Sequence, residues 1–130
     1  MQIGFNAPTS GPLIDPDSFV RVITEGEALG FDYVTISDHI MVPRNLESKY
    51  PYTNDGEFPA GTAAAWLEQL ATTAYVAALT EKLRFVLSVM VVPHRPAVLT
   101  AKVLARISEV SSSPWLGGRY TTADTASGWR

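Results

Sequence analysis

Hydrophobic and polar positions follow two alternating rhythms through the first hundred residues. Residues 2–6 (Gln2-Ile3-Gly4-Phe5-Asn6) place Ile3 and Phe5 between polar ends and are closed by Ala7-Pro8 and a Thr-Ser-Gly-Pro cluster. That pattern predicts a buried strand with Asn6 at its carboxyl end. Asp15-Pro16 then opens a segment in which Phe19, Val22, Ile23, Gly26 and Leu29 recur at helical spacing. Asp15 suits the N-cap, Pro16 the first helical position, and Gly30 the left-handed residue that closes the helix. A second strand over residues 33–37 follows at once. From residue 40 to 61 no period holds, because Pro43, Pro51, Pro59 and Asn54-Asp55-Gly56 interrupt every candidate element. Helical spacing returns at Ala63, with Leu67, Leu70, Ala71, Ala74 and Ala78 on one face, and ends at Thr80-Glu81-Lys82. Residues 83–92 are an apolar run interrupted by Arg84 near its start and by Ser88 in its middle, close to the pattern of a strand buried on both faces. Pro93-His94-Arg95-Pro96 stops it, and Leu99, Val103, Ile107 and Val110 outline a third helix.

The order β-α-β-α-β-α implies a parallel sheet with right-handed crossovers. It fits an open doubly wound sheet and the start of a (β/α)8 barrel equally well. No Gly-x-Gly-x-x-Gly follows the first strand, which speaks against a dinucleotide-binding unit. The aperiodic stretch at residues 40–61 is long for a plain connection, and such loops commonly act as lids or binding loops. Tyr50, Tyr52 and Phe58 give it an aromatic character that would also suit a self-packed surface loop.

Composition narrows the chemistry. The formal net charge of −3 comes with no basic stripe, so nucleic acid is not an expected partner. There is no cysteine, which removes disulfides, thiolate nucleophiles and cysteine-ligated zinc. His39 and His94 lack metal-ligand spacing, and no metal is expected. The first residues do not read as a signal peptide, and the longest apolar run is far shorter than the ~20 residues of a membrane span. A soluble cytoplasmic protein is the expectation.

Candidate chemistry concentrates at Ser37-Asp38-His39, where the second strand should stop. In parallel α/β proteins ligands bind beyond the carboxyl ends of the strands. An aspartate there can equally cap whatever follows. Ser88 marks either a bulge or a close approach of backbone to a ligand. His94 and Arg95 share the same rim, with a turn-capping role favoured for His94 over a substrate contact. Arg44 and Glu57 read as solvated loop charges, and Trp66 as packing.

With these residues placed, the sequence resembles the luciferase-like monooxygenase superfamily, in particular its branch that uses the deazaflavin coenzyme F420. The resemblance is carried by Ile3-Gly4-Phe5, Ala28-Leu29-Gly30-Phe31-Asp32, Ser37-Asp38-His39-Ile40 with Val42-Pro43, and the loop Tyr50-Pro51-Tyr52 with Asp55-Gly56-Glu57-Phe58-Pro59. It continues through Leu83-Arg84-Phe85 and Val89-Met90-Val91-Val92-Pro93 to Ala101-Lys102. It implies an incomplete (β/α)8 TIM barrel, its first three β-α units with parallel strands, and a cofactor at the carboxyl ends of those strands. Asp38 and His39 inherit a place beside the reactive ring, His39 as the group that places a proton or meets developing charge. Asn6 and the Ser88-Val89 bond, cis in the family, complete the implied cofactor contacts.

Departures begin after Ala105. Ile107-Ser108-Glu109-Val110-Ser111-Ser112-Ser113 strays from the family pattern, Gly117-Gly118-Arg119 is an echo of its turn, and residues 120–130 fit no strand. The expected organisation is therefore residues 1–110 as the N-terminal part of a barrel and 111–130 as a divergent, irregular tail. The reading is a truncated or frame-shifted product. The implied function is hydride transfer between F420 and an organic substrate. The alternatives are an FMN-dependent monooxygenase on the same scaffold and an inactive fragment. Expected partners are a small-molecule substrate and either a second copy or a complementing barrel fragment, with no membrane.

Overall fold

The computed structural model describes residues 1–45, 47–58 and 64–111. The predicted tail is residues 111–130, and all of it after Ser111 lies outside the described residues, as do Pro59 and Ala63. Three strands, β1 (Gly4–Asn6), β2 (Tyr33–Ile36) and β3 (Arg84–Leu87), alternate with three helices, α1 (Pro16–Ala28), α2 (Gln69–Leu79) and α3 (Ala97–Val110). Short 3₁₀ turns at Pro12–Ile14 and Val92–His94 precede α1 and α3. The sheet is parallel in the order β1-β2-β3. Asn6 lies beside Thr35 and Ile36 beside Leu87, so the three carboxyl ends share one rim.

Phe19 and Ile23 of α1, Val76 and Ala77 of α2, and Ile107 of α3 join Val34, Ile36 and Phe85 in a single core. All three helices therefore cover the same sheet face. A doubly wound sheet sends helices to both faces; here the third stays with the first two, as in the opening units of a barrel. The opposite face, with Asn6, Tyr33, Thr35, Arg84 and Val86, keeps partial exposure.

Helix α1 forms as its local signals dictate. Asp15 Oδ1 accepts from Ser18 N–H at 3.0 Å, and Pro16 occupies the first turn. At the other end Gly30 adopts φ +86°, while the N–H groups of Gly30 and Phe31 donate to Glu27 and Gly26 carbonyls. This is the paired closing geometry that favours glycine. Below it, Glu27 Oε1 accepts from three successive backbone N–H groups, those of Glu81, Lys82 and Leu83, at 2.6–2.9 Å. Asp32 Oδ2 likewise accepts from Ile3 N–H at 2.7 Å. These carboxylates close the amino ends of the strands, remote from the rim.

Three elements differ from expectation. Helix α2 begins at Gln69, six residues later than its apolar spacing suggests, with Glu68 accepting from Ala71 N–H as its cap. Leu67 precedes the helix because its N–H donates to Thr9 carbonyl, and Trp66 bridges to Ser10. The buried face is consequently Gln69, Leu70, Thr72, Thr73, Val76 and Ala77, while Ala71 and Ala78 are exposed. Strand β3 is four residues long rather than the full apolar run, since β2 offers it only four partners. Beyond it Val89 is 72% exposed. In α3, Ile107 is buried and Val103 packs on the core, whereas Leu99 is 60% exposed; the side chain of Val110 lies outside those described. Among the described residues no helix is long and apolar enough to cross a membrane.

Candidate functional site

Beyond the carboxyl ends of β1 and β2 the chain opens into a pocket of about 320 Å³, lined by Asn6, Ala7, Pro8, Thr9, Ser10, Ser37, His39, Tyr50, Phe58 and Trp66. That volume is at the small end for an organic ligand site. Its floor is polar and ordered. Thr35 Oγ1 donates to Asn6 Oδ1 at 2.8 Å, and the Thr9 and Ser37 hydroxyls meet at 2.6 Å.

Its wall is aromatic. The pairing of residues 66 and 67 with 9 and 10 carries Trp66 to the rim, where its ring lies 4.0 Å from that of His39. Phe58 stands 5.7 Å from His39 and 5.2 Å from Tyr50. The stretch carrying these aromatics is held by its own bonds. Tyr50 N–H donates to Gly56 carbonyl, Thr53 Oγ1 to Glu57 carbonyl, and Glu57 N–H to Asp55 Oδ1. The loop is thus both a self-bonded turn and one side of the pocket.

His39 Nδ1 and Trp66 Nε1 are buried without a hydrogen-bond partner among the described residues. Burial lowers the His39 pKa from its ordinary 6.5, an effect that the neighbouring Asp38 charge partly offsets. The imidazole is therefore mainly neutral near pH 7, with one nitrogen able to accept a proton.

Asp38 occupies a different setting. Arg95 Nη1 donates to its Oδ2 at 2.6 Å and Nη2 to its Oδ1 at 2.9 Å, and Val91 N–H adds a bond to Oδ2 at 2.8 Å. The Arg95 hydrogen bonds hold the Asp38 pKa below the usual carboxylate range, against the opposing effect of burial. Of the adjacent acid and imidazole, only His39 lines the pocket.

Ser88-Val89 is a cis peptide bond, at the position the family resemblance implies. It follows β3 on the same rim but is not part of the pocket lining. Ser88 N–H donates to Ile36 carbonyl, and buried Gln69 Nε2 donates to the carbonyls of Ile36 and Val89. Gln69 therefore ties the end of β2 to the stretch after β3. Asn6 and His39 come together in one cavity, then, while Asp38, Ser88 and Val89 stand behind or beside it. His94 is exposed, its N–H donating to Val91 carbonyl within a turn. Arg44 and Glu57 are exposed.

The pattern of residues did not single out Gln69 or the Arg95–Asp38 pair, and it left Trp66 to packing. One signal for Arg95 existed. A carboxylate at a buried strand end needs a cation, and Arg95 follows the neighbouring strand on the same rim.

The model of the luciferase-like monooxygenase family matches residues 1–113. An uncharacterized protein of Mycobacterium bovis and two uncharacterized proteins from strains of Mycobacterium tuberculosis are each 33% identical to the chain over 106 residues. The match covers 75% of this chain and 37% of each relative, so the chain spans little more than a third of their length.

Proposed function

The chain belongs to the luciferase-like monooxygenase family, and from that premise we propose that it serves hydride transfer between coenzyme F420 and an organic substrate. On this reading its three β-α units are the opening part of a (β/α)8 barrel, a fold whose sites lie at the carboxyl face. The observation that carries the proposal is His39. It is a neutral imidazole at a strand's carboxyl end, set in an aromatic wall, with a buried ring nitrogen that no described residue engages.

The residues present suit a planar heterocycle. Asn6 and Ser37 offer polar atoms on the pocket floor, His39 and Trp66 carry unpartnered nitrogens, and the exposed Ser88-Val89 backbone stands on the same rim. A deazaflavin, when bound, supplies a carbon centre that exchanges two electrons as hydride. The work left to the chain is to orient and to manage a proton. Asn6, Ser37, Ser88 and Val89 would hold the ring; Tyr50 and Phe58 would exclude water; His39 would take or return the proton of the reacting substrate oxygen or carbon. Asp38 contributes by position, as its oxygens are already engaged.

The name of the family, luciferase-like monooxygenase, supports a second reading, in which the same site serves a monooxygenase with FMN as its cofactor. Fluorescence titration with F420 and with FMN separates the two. Tighter F420 binding is expected, and tighter FMN binding would move the assignment to the monooxygenase. In whatever assembly turns over, His39→Ala is expected to remove most activity, on the order of 10²-fold or more, while leaving the thermal melt nearly unchanged. Full retained turnover would remove His39 from the mechanism. A cooperative melt together with cofactor binding would reject the reading of the chain as an inactive fragment.

A further inference from the structure

A carboxylate stays buried only where its lone pairs are engaged. The Asp38 side chain is 0% exposed and that of Arg95 8%. Their two-pronged contact leaves room for two more bonds. Val91 N–H reaches Asp38 Oδ2, and Arg95 Nη2 reaches Glu68 Oε1 at 2.5 Å. The other Glu68 oxygen caps α2 through Ala71 N–H. The Arg95 guanidinium thus joins the end of β2 to the start of α2, and through Asp38 the network also reaches Val91 in the stretch after the cis bond.

For stability alone, an apolar pair of similar volume would serve as well or better. What the ion pair adds is direction, because the planar fork fixes the carboxylate and with it the backbone at Asp38. His39 is the next residue. With Nδ1 unengaged among the described residues, its ring plane is set by that backbone and by the rings of Trp66, 4.0 Å away, and Phe58, 5.7 Å away. We propose that Arg95 is a positioning residue of the candidate site, acting through Asp38 to fix His39 against Trp66. The inference rests on reading that rim as the place where cofactor and substrate meet, yet its test needs no cofactor.

The test is the proton NMR spectrum of the chain's two imidazoles, assigned with His94→Gln. Stacked on the indole of Trp66, the His39 ring protons are expected upfield of those of exposed His94. In Arg95→Gln this displacement is expected to collapse towards the position of an exposed histidine. In Arg95→Lys, which keeps charge but loses the fork, an intermediate value is expected. Spectra recorded over a pH range separate movement of the ring from titration, since Asp38, Glu68 and His94 are the other ionisable groups around Arg95. If Arg95→Gln does not fold, Arg95→Lys decides, measured well below its melting temperature. A His39 signal that keeps its full displacement while only the melting temperature falls would reduce Arg95 to a stabiliser of the fold. Failure of F420 to bind the unsubstituted chain would overturn the functional reading alone and leave this result standing.

Discussion

At the scale of single residues, Asp38 and His39 show how neighbours in sequence acquire opposite tasks. The acid turns to Arg95, 57 positions away, and the imidazole to Trp66 and Phe58. Their protonation lowers stability in different ranges of pH. Burial lowers the His39 pKa below 6.5, so the unfolded chain binds more protons than the native one between the native value and 6.5. Stability therefore falls as pH drops through that window. Asp38 is held below 3.8, so its contribution is complete above that value and disappears on further acidification. Urea unfolding at about pH 7.5, 5.5 and 3 should show two successive losses. His39→Gln should flatten the first, and Asp38→Asn should reduce the second, to which Asp15 and Asp55, held low by backbone hydrogen bonds, also contribute. Unchanged stability between the two higher pH values would mean that His39 titrates like an exposed imidazole. Sequence pointed to this pair because strand ends collect chemistry. It could not divide the roles, since that depends on a partner three elements later in the chain.

At the scale of elements, legibility followed the range of the signals. Helix α1 was readable at both ends because Asp15, Pro16 and Gly30 act within a few residues of themselves. The start of α2 was not, because the competing pairing of Leu67 with Thr9 comes from 58 residues earlier, and Gln69 is buried for the sake of two carbonyls on other elements. Strand β3 was overlong in the sequence reading since apolarity marks burial, while strand length is set by the partner strand. Gly26 is a case where two scales conflict. In isolation, Gly→Ala within a helix gains about 1 kcal/mol. Here a Cβ at Gly26 would sit 2.5 Å from the Phe5 ring, itself packed edge-on against Phe31. Overpacking of this kind costs about 1–3 kcal/mol, so Gly26→Ala should lower the melting temperature, and Gly26→Ala with Phe5→Leu should recover part of the loss. A stabilised single variant would show that Phe5 can move aside freely.

At the scale of the molecule, the sheet has covered one face and not the other. Phe85, Val34 and Ile36 are fully buried under three helices, each such side chain contributing about 2 kcal/mol. On the far face Asn6, Tyr33, Thr35, Arg84 and Val86 stay partly open, and among the described residues β1 and β3 each pair on one side only. Unpaired strand edges with accessible N–H and C=O groups recruit further strands. The free edge of β1 belongs to the strand that carries Asn6, so whatever covers that edge would also wall the pocket beside Asn6. Two outcomes of size-exclusion chromatography across a dilution series are therefore informative. A species larger than one chain, dissociating on dilution with a parallel drop in melting temperature, is expected if the edges are covered by a second copy. A concentration-independent monomer with a cooperative melt would mean that the edges tolerate water. The pocket would then be as complete in one chain as β1, β2 and the aromatic loop make it, and cofactor affinity measured on that monomer would be the affinity of these residues alone.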